Sequence, residues 1–260
     1  MTRLPTVQHA IADISRQTGT RFRRPSTRNH GRNGERLLVD PSTKIGYLSE
    51  THVFASIPAA EHKWLAENTT MVTCERGRVF YTPDERGEVV FILKRGKVDL
   101  YRISPDGRKL VVSTVGPKSI FGEMGLIGQG MYGCYAEASE ECLLCILSRS
   151  DLQELIHRNP GVGLNLMAEM GNRLLAREAD LEALAFRSLP ARLADLLLRE
   201  ADPYGTVAGL SHQDLAERLG TYRETVSQLL GKFRSERLVA IEPRRIKLID
   251  PEGLQIYAEA

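Results

Sequence analysis

The sequence predicts an α+β protein: an N-terminal β-roll of the jelly-roll kind, one long helix, and a C-terminal, mostly helical domain that closes with a β-hairpin. Three observations lead there. Short β-prone runs separated by turn signals fill residues 45–150, and an apolar stripe at heptad spacing follows from about residue 159. Residues 210–250, "LSHQDLAERLGTYRETVSQLLGKFRSERLVAIEPRRIKLID", then carry the caps and turns of two short helices and a hairpin.

The β-roll reading rests on punctuation. Turn pairs recur as "RG" at 76–77 and 95–96, "PDG" at 105–107 and "VGP" at 115–117. Strands of this length at this spacing close into a barrel or jelly roll. "EVVFILKRGKVDLYRISPDGRKLVVSTV" is the clearest part, with two hairpin connections in succession. The expected β-roll domain is 45–158. Ahead of it, residues 1–44 have few large apolar groups and are expected to be disordered, a helix in "TVQHAIADISRQ" being only marginal alone.

Composition bounds the class. A chain of 260 residues, 42% hydrophobic and 26% charged, suits two compact domains of a soluble protein. Its longest apolar runs, 89–93 and 142–147, fall far short of the roughly 18 residues of a membrane span. A cytoplasmic location without a membrane partner is the expectation. Net charge is only +2, but residues 2–44 hold nine basic against three acidic groups, and 218–247 hold eight against three. Both stretches suit a polyanion. Cys74, Cys134, Cys142 and Cys145 are too few for a disulfide framework and are assigned to packing. Cys142 and Cys145 stand three apart on a predicted strand and so point to opposite faces, which disfavours a metal or redox pair. No cofactor or metal is expected.

Asn159-Pro160 opens a long helix, expected over 159–187. Met167, Met170, Leu174, Leu181 and Leu184 occupy a and d spacings, with Arg177 at the d position between Leu174 and Leu181. A single helix with such a seam wants a second copy of itself, so a homodimer is expected. Ser188 and Pro190 start a new helix and a new domain, expected over 188–250 with 251–260 as a tail.

Within that domain, Ser211 with Asp214 caps the first short helix, and Gly220 permits the turn. Thr221 with Glu224 begins the second helix. This is a helix-turn-helix. Val226, Leu229, Leu230 and Phe233 form the packing face of the second helix. Arg223, Glu224, Ser227 and Gln228 lie on its other side. Arg pairs bidentately with guanine, Glu accepts from cytosine, and Gln pairs with adenine. Two alternatives compete: Glu224 closing a capping box with Thr221, and Arg223 contacting only phosphate. Thr221, Ser211, Gln213 and Lys232 are further candidates for DNA contact. The hairpin is a wing whose tip offers Arg244 and Arg245 to backbone phosphates.

Taken together, "FGEMGLI" (121–127), "NPGVGLNLMAEMGNRL" (159–174) and "LAERLGTYRETVSQLL" (215–230) make the chain resemble the CRP/FNR family of bacterial transcription regulators over roughly residues 45–250. The resemblance implies a homodimer, a cyclic-nucleotide-binding-like β-roll, a winged helix-turn-helix, and double-stranded DNA and RNA polymerase as partners. Its reading triplet falls on Arg223, Glu224 and Gln228, with Ser227 the alternative reader of the FNR branch. Gln228 stands where the cyclic AMP receptor has Arg, so a guanine-cytosine core read by Arg223 and Glu224 is the firmer expectation.

The resemblance also marks an effector pocket at Gly122, Glu123, Met124, Gly133 and Cys134, with Arg177 on the long helix. Here the chain departs from the cyclic AMP branch. The Arg-Ser pair that neutralises the cyclic phosphate is replaced by Tyr132-Gly133 or Gly133-Cys134, and no Lys, Arg or His lies between Lys118 and Arg149. A buried, unpaired phosphate is costly, so independence of cyclic AMP is expected. Two alternatives stay open: an anionic effector met by Arg177, and a thiol response at Cys134. The FNR-type cluster of N-terminal cysteines is missing before Cys74. The chain also lacks HExxH, GxSxG and GxxxxGK[ST], so no enzymatic activity is expected.

Overall fold

The apolar run Val89–Leu93 becomes the middle of the fold. In the computed structural model, which describes residues 41–83, 88–122 and 133–259, it lies in strand β3 (Val89–Arg95), six of whose seven residues are buried. Expectations for residues 1–40 fall outside the described residues. The chain divides into two units, one running through Arg102 and resuming over Val112–Gly171, the other comprising Ile103–Val111 and Asn172–Ala260.

The first unit begins with helices α1 (Pro41–Ser49) and α2 (Ala59–Asn68), separated by a 3-10 turn at His52–Phe54. This corrects the expectation of β structure from residue 45. "AAEHKWLAEN" consists mainly of strong helix formers and buries Leu65 and Ala66, so the strands start only at residue 70. They are β1 (Thr70–Cys74), β2 (Val79–Tyr81), β3, β4 (Val98–Ile103), β5 (Lys109–Val115), β6 (Ile120–Phe121), β7 (Tyr135–Ala138) and β8 (Cys142–Ser148). Two four-stranded sheets result, ordered β1-β8-β3-β6 and β2-β7-β4-β5, which is the jelly-roll architecture read from the turn spacing.

The first sheet is covered on both faces, which is why β3 reads as a continuous apolar run and not as an alternation. Its inner face meets the second sheet through Phe80, Phe91 and Phe121, the last two stacked with ring centroids 4.8 Å apart. On its outer face Val90, Ile92 and Leu147 lie under α1, α2, α3 (Arg149–Arg158) and the first turns of α4 (Pro160–Phe186), which bury Val162 and Leu166. The helix α3 was not foreseen. Ser148 caps it by accepting from the Asp151 amide, and Leu152 and Leu155 are its buried contacts.

One cation is trapped beneath this cover. Lys94 is buried and donates from Nζ to the Tyr47 carbonyl at 2.7 Å and to Thr51 Oγ1 at 3.2 Å. Burial pushes its pKa down to about 8, partly countered by Cys145 and Glu50. A pKa below the unfolded value means that the folded state binds fewer protons between about 8 and 10.5. The cost of charging Lys94 is therefore fully present below pH 8 and lifts as pH rises, by an upper figure of about 3 kcal/mol. Urea titrations from pH 8 to pH 10 are expected to show a stability gain in the wild type relative to Lys94→Met. A flat difference would mean that Lys94 is charged at no cost.

The second unit contains the end of α4, then α5 (Leu189–Glu200), β9 (Thr206–Ala208), α6 (His212–Leu219), α7 (Arg223–Ser235), β10 (Val239–Glu242), β11 (Arg245–Leu248) and α8 (Pro251–Glu259). Ser188 caps α5 by accepting from the Ala191 amide, as its sequence suggested. Two expectations are corrected. The wing is a three-stranded sheet, β10-β11-β9, because Thr206–Ala208 pairs with β11. Residues 251–259 form a helix and not a tail: Leu254 and Ala258, one turn apart, are buried in the domain core.

Candidate nucleic-acid interface and sensor loop

The capping box read from Ser211 and Asp214 is present in full. Asp214 N donates to Ser211 Oγ at 3.2 Å, and Ser211 N donates to Asp214 Oδ2 at 2.7 Å. At the other end of α6, Gly220 takes φ +67°, and its amide and that of Thr221 both close on the Ala216 carbonyl. This left-handed residue turns the chain so that α7 crosses α6. Arg192 donates to the Leu219 carbonyl, satisfying another free end of α6. Val226, Leu230 and Phe233 then lock α7 into the core with Leu215, Ala216 and Leu219.

The start of α7 differs from the expectation. Tyr222, in an extended conformation, holds the N-cap position and its side chain makes no capping bond; Thr221 lies outside the helix. Thr221 and Glu224 therefore form no capping box. The Glu224 carboxylate is left exposed in the first turn beside the exposed Arg223. Gln228 is exposed on the same side.

Ser227 is half-buried and engaged inside the protein. Its hydroxyl donates to the Arg223 carbonyl at 2.9 Å, and its Oγ lies 2.8 Å from His212 Nδ1. His212 went unnoticed in the sequence, and it ties the first residue of α6 to the outer face of α7. Burial, and then the Arg223 charge, lower its pKa and favour the neutral ring.

The other candidates have partners too. Ser211 Oγ also donates to Asp214 Oδ2 at 2.6 Å, and Gln213 Nε2 donates to Glu217 Oε1 at 3.0 Å. Lys232 faces the C-terminal helix, with Nζ 5.3 Å from the Tyr257 ring centroid and 3.9 Å from Glu236 Oε1. Arg244 and Arg245 are exposed at the tip of the β10–β11 hairpin, where Glu242 pairs with Arg245 and Arg244 turns the chain at φ +57°. The domain thus exposes Arg223, Glu224 and Gln228 on the second helix of a helix-turn-helix and two arginines at a hairpin tip, groups that can meet base edges and phosphates.

In the sensor unit, Gly122 has φ +84°, and a Cβ there would lie 3.2 Å from both Phe91 and the Val89 carbonyl, so only glycine suits the position. Glu123 and Met124 fall outside the described residues. Cys134 is buried in the roll, and Gly133 beside it is exposed with φ +59°. The fold brings a cation to Gly133 from outside the loop. Arg102, on β4, brings its Nη2 to 3.8 Å from where a Cβ of Gly133 would stand. Arg177 Nη1 pairs with Asp180 Oδ2 at 2.8 Å within its own helix. Among the described residues, no three His, Cys, Asp or Glu side chains gather as metal ligands would.

The stripe on α4 is also placed. Met167, Leu174, Leu181 and Leu184 are 68%, 61%, 65% and 56% exposed, and Leu164, Leu175 and Phe186 add to the apolar surface. Met170 is only half-exposed.

Fold and surface define a DNA-binding regulator with a β-roll sensor domain. Residues 71–159 match the cyclic nucleotide-binding domain, and residues 191–257 match the Crp-like helix-turn-helix domain. The cyclic AMP receptor protein of Thermus thermophilus is 32% identical over 184 residues, covering 70% of this chain and 85% of that protein. The global nitrogen regulator of Synechococcus elongatus is 30% identical over 190 residues, covering 69% and 86%. A solved CRP-family transcriptional regulator from Thermus thermophilus superposes with a TM-score of 0.60 at 29% identity, over 72% of this chain and 96% of its own. The chain belongs to the CRP/FNR family of transcription regulators, and its relatives are regulators and not enzymes.

Proposed function

We propose that the protein is a homodimeric regulator that reads a near-palindromic DNA site through Arg223, Glu224 and Gln228, and that cyclic AMP is not its signal. The observation that carries the reading is the uncapped, exposed Arg223–Glu224 pair in the first turn of α7, the part of a recognition helix that enters the major groove. The exposed seam on α4 supports a second copy, and two copies present two recognition helices to two half-sites. Ser227 has spent its proton within the protein and has only acceptor capacity left, so the triplet ending in Gln228 is preferred over the FNR-type reader. Arg244 and Arg245 hold flanking phosphates. RNA polymerase is the partner on which the bound dimer acts.

Against a cyclic AMP signal stand the lack of any cation between Lys118 and Arg149 and the pairing of Arg177 with Asp180. Arg102 beside Gly133 favours a second reading, in which a small anion settles against β4. Selection of bound duplexes from a random library, with and without cyclic AMP, tests the whole proposal. The expected product is one two-fold symmetric motif with a guanine-cytosine core, enriched equally in both arms. Calorimetry with cyclic AMP is expected to show no binding at micromolar concentrations. Micromolar binding would overturn cyclic AMP independence, and its loss in Arg102→Ala would establish the second reading. Failure to enrich any motif in either arm would remove the regulator reading itself.

A further inference from the structure

Four cysteines are spread over two strands and a loop, and the fold pairs two that the sequence keeps 68 positions apart. Cys74 ends β1, Cys142 begins β8, and the antiparallel register sets them directly opposite each other. Residues opposed in this way have Cα atoms about 4.5–5.5 Å apart, inside the range that a disulfide spans without moving the backbone. The two side chains are close enough for each thiol to shift the acidity of the other. Both are free thiols.

The surroundings hold Cys142 in place. Its Sγ lies 3.3 Å from the Lys97 carbonyl and 3.4 Å from the Glu140 carbonyl. Gly96 leaves it room: a Cβ there would stand 2.7 Å from the sulfur and 2.3 Å from the Glu141 carbonyl. Cys142 is fully buried, whereas Cys74 is half-buried and is the sulfur nearer to solvent. The neighbouring Cys142 and burial raise the Cys74 pKa, against the charge of Arg78, which favours the thiolate. The neighbouring Cys74 lowers the pKa of Cys142.

We propose that Cys74 and Cys142 form a reversible dithiol–disulfide site oxidised by a peroxide. In the first step the Cys74 sulfur attacks one peroxide oxygen, the O–O bond breaks, and Cys74 becomes a sulfenic acid as one water leaves. In the second step the Cys142 sulfur attacks the sulfenic sulfur. The S–S bond forms, hydroxide departs, and it takes up the Cys142 proton as a second water. Two sulfurs have then lost two electrons in total, and the peroxide has gained them. Because Cys74 has little thiolate, the first step is slow and needs a high peroxide dose. Cys145 cannot substitute for Cys142, since it packs on the opposite face of β8. The product clamps β1 to β8, the strand that leads into α3.

The test is hydrogen peroxide treatment of the full-length protein, followed by intact mass and peptide mapping of the wild type. The expected result is a loss of about 2 Da that dithiothreitol reverses, with a Cys74–Cys142 cross-linked peptide. The thermal midpoint of the oxidised protein is expected to rise by about 5 °C or more. Cys74→Ser is expected to abolish the mass loss, and Cys134→Ser to leave it intact. A bridge to any other cysteine, or complete oxidation to sulfinic acids without a bridge, overturns the proposal. Mapping the wild type keeps the test independent of whether any variant folds, and no DNA-binding result enters it.

Discussion

Exchanging Leu174 and Leu181 together for Glu is expected to leave a monomer that no longer retains DNA at concentrations where the wild type is saturated. The two leucines sit seven residues apart on α4, two turns along one face, and are 61% and 65% exposed in the single chain. Neither supports the fold of its own protomer, so helical content is expected to be preserved, and circular dichroism checks this. In a two-fold seam the double exchange sets four carboxylates against an apolar surface. Each buried, unpaired charge costs several kcal/mol, enough to exceed what a seam of this length supplies. Loss of DNA retention follows from geometry: one recognition helix reads one half-site and keeps only the weaker part of the affinity. Sedimentation at micromolar protein decides the matter. A persisting dimer would place the seam elsewhere on the protein.

Arg223→Ala is expected to lower affinity for the selected duplex by roughly 5- to 150-fold, about 1–3 kcal/mol, and to relax preference at one base pair of each half-site. A loss of phosphate contact alone would weaken selected and random DNA equally and flatten the salt dependence by about one ion per half-site. The two outcomes separate in a salt titration on both duplexes. Glu224→Ala provides the companion test at the neighbouring base pair. Circular dichroism of this variant accompanies the binding measurement, because Glu224 stands in the first turn of α7, where its charge favours the helix end.

Much of this interface was legible because it is written within one or two helical turns. The Ser211–Asp214 box, the left-handed Gly220 and the apolar face ending in Phe233 depend on residues at most a few positions apart. The Thr221–Glu224 pair had the same signature and yet forms no box, since the helix begins one residue later than that pair implies, with Tyr222 at its cap. The signature marks a helix start but not its register. The helix at 251–259 was missed for a different reason. Its two buried residues, Leu254 and Ala258, carry little periodic signal until α5 is beside them to cover them.

The sensor loop shows the same limit. Its lack of Lys, Arg and His between 118 and 149 is a property of the chain, but the Arg102 guanidinium beside Gly133 is a property of the fold. The sequence by itself determined the class of protein, the order of its parts, the helix-turn-helix and the exposed apolar stripe of α4, because caps, turns and periodic patterning are set by near neighbours. Only the tertiary structure decided which distant groups meet: Arg102 with Gly133, His212 with Ser227, and Cys74 with Cys142. Strand register and helix packing create those contacts. A shift of one residue in a strand turns every side chain to the other face, so the pairing of two cysteines 68 positions apart is determined only once the sheet has formed.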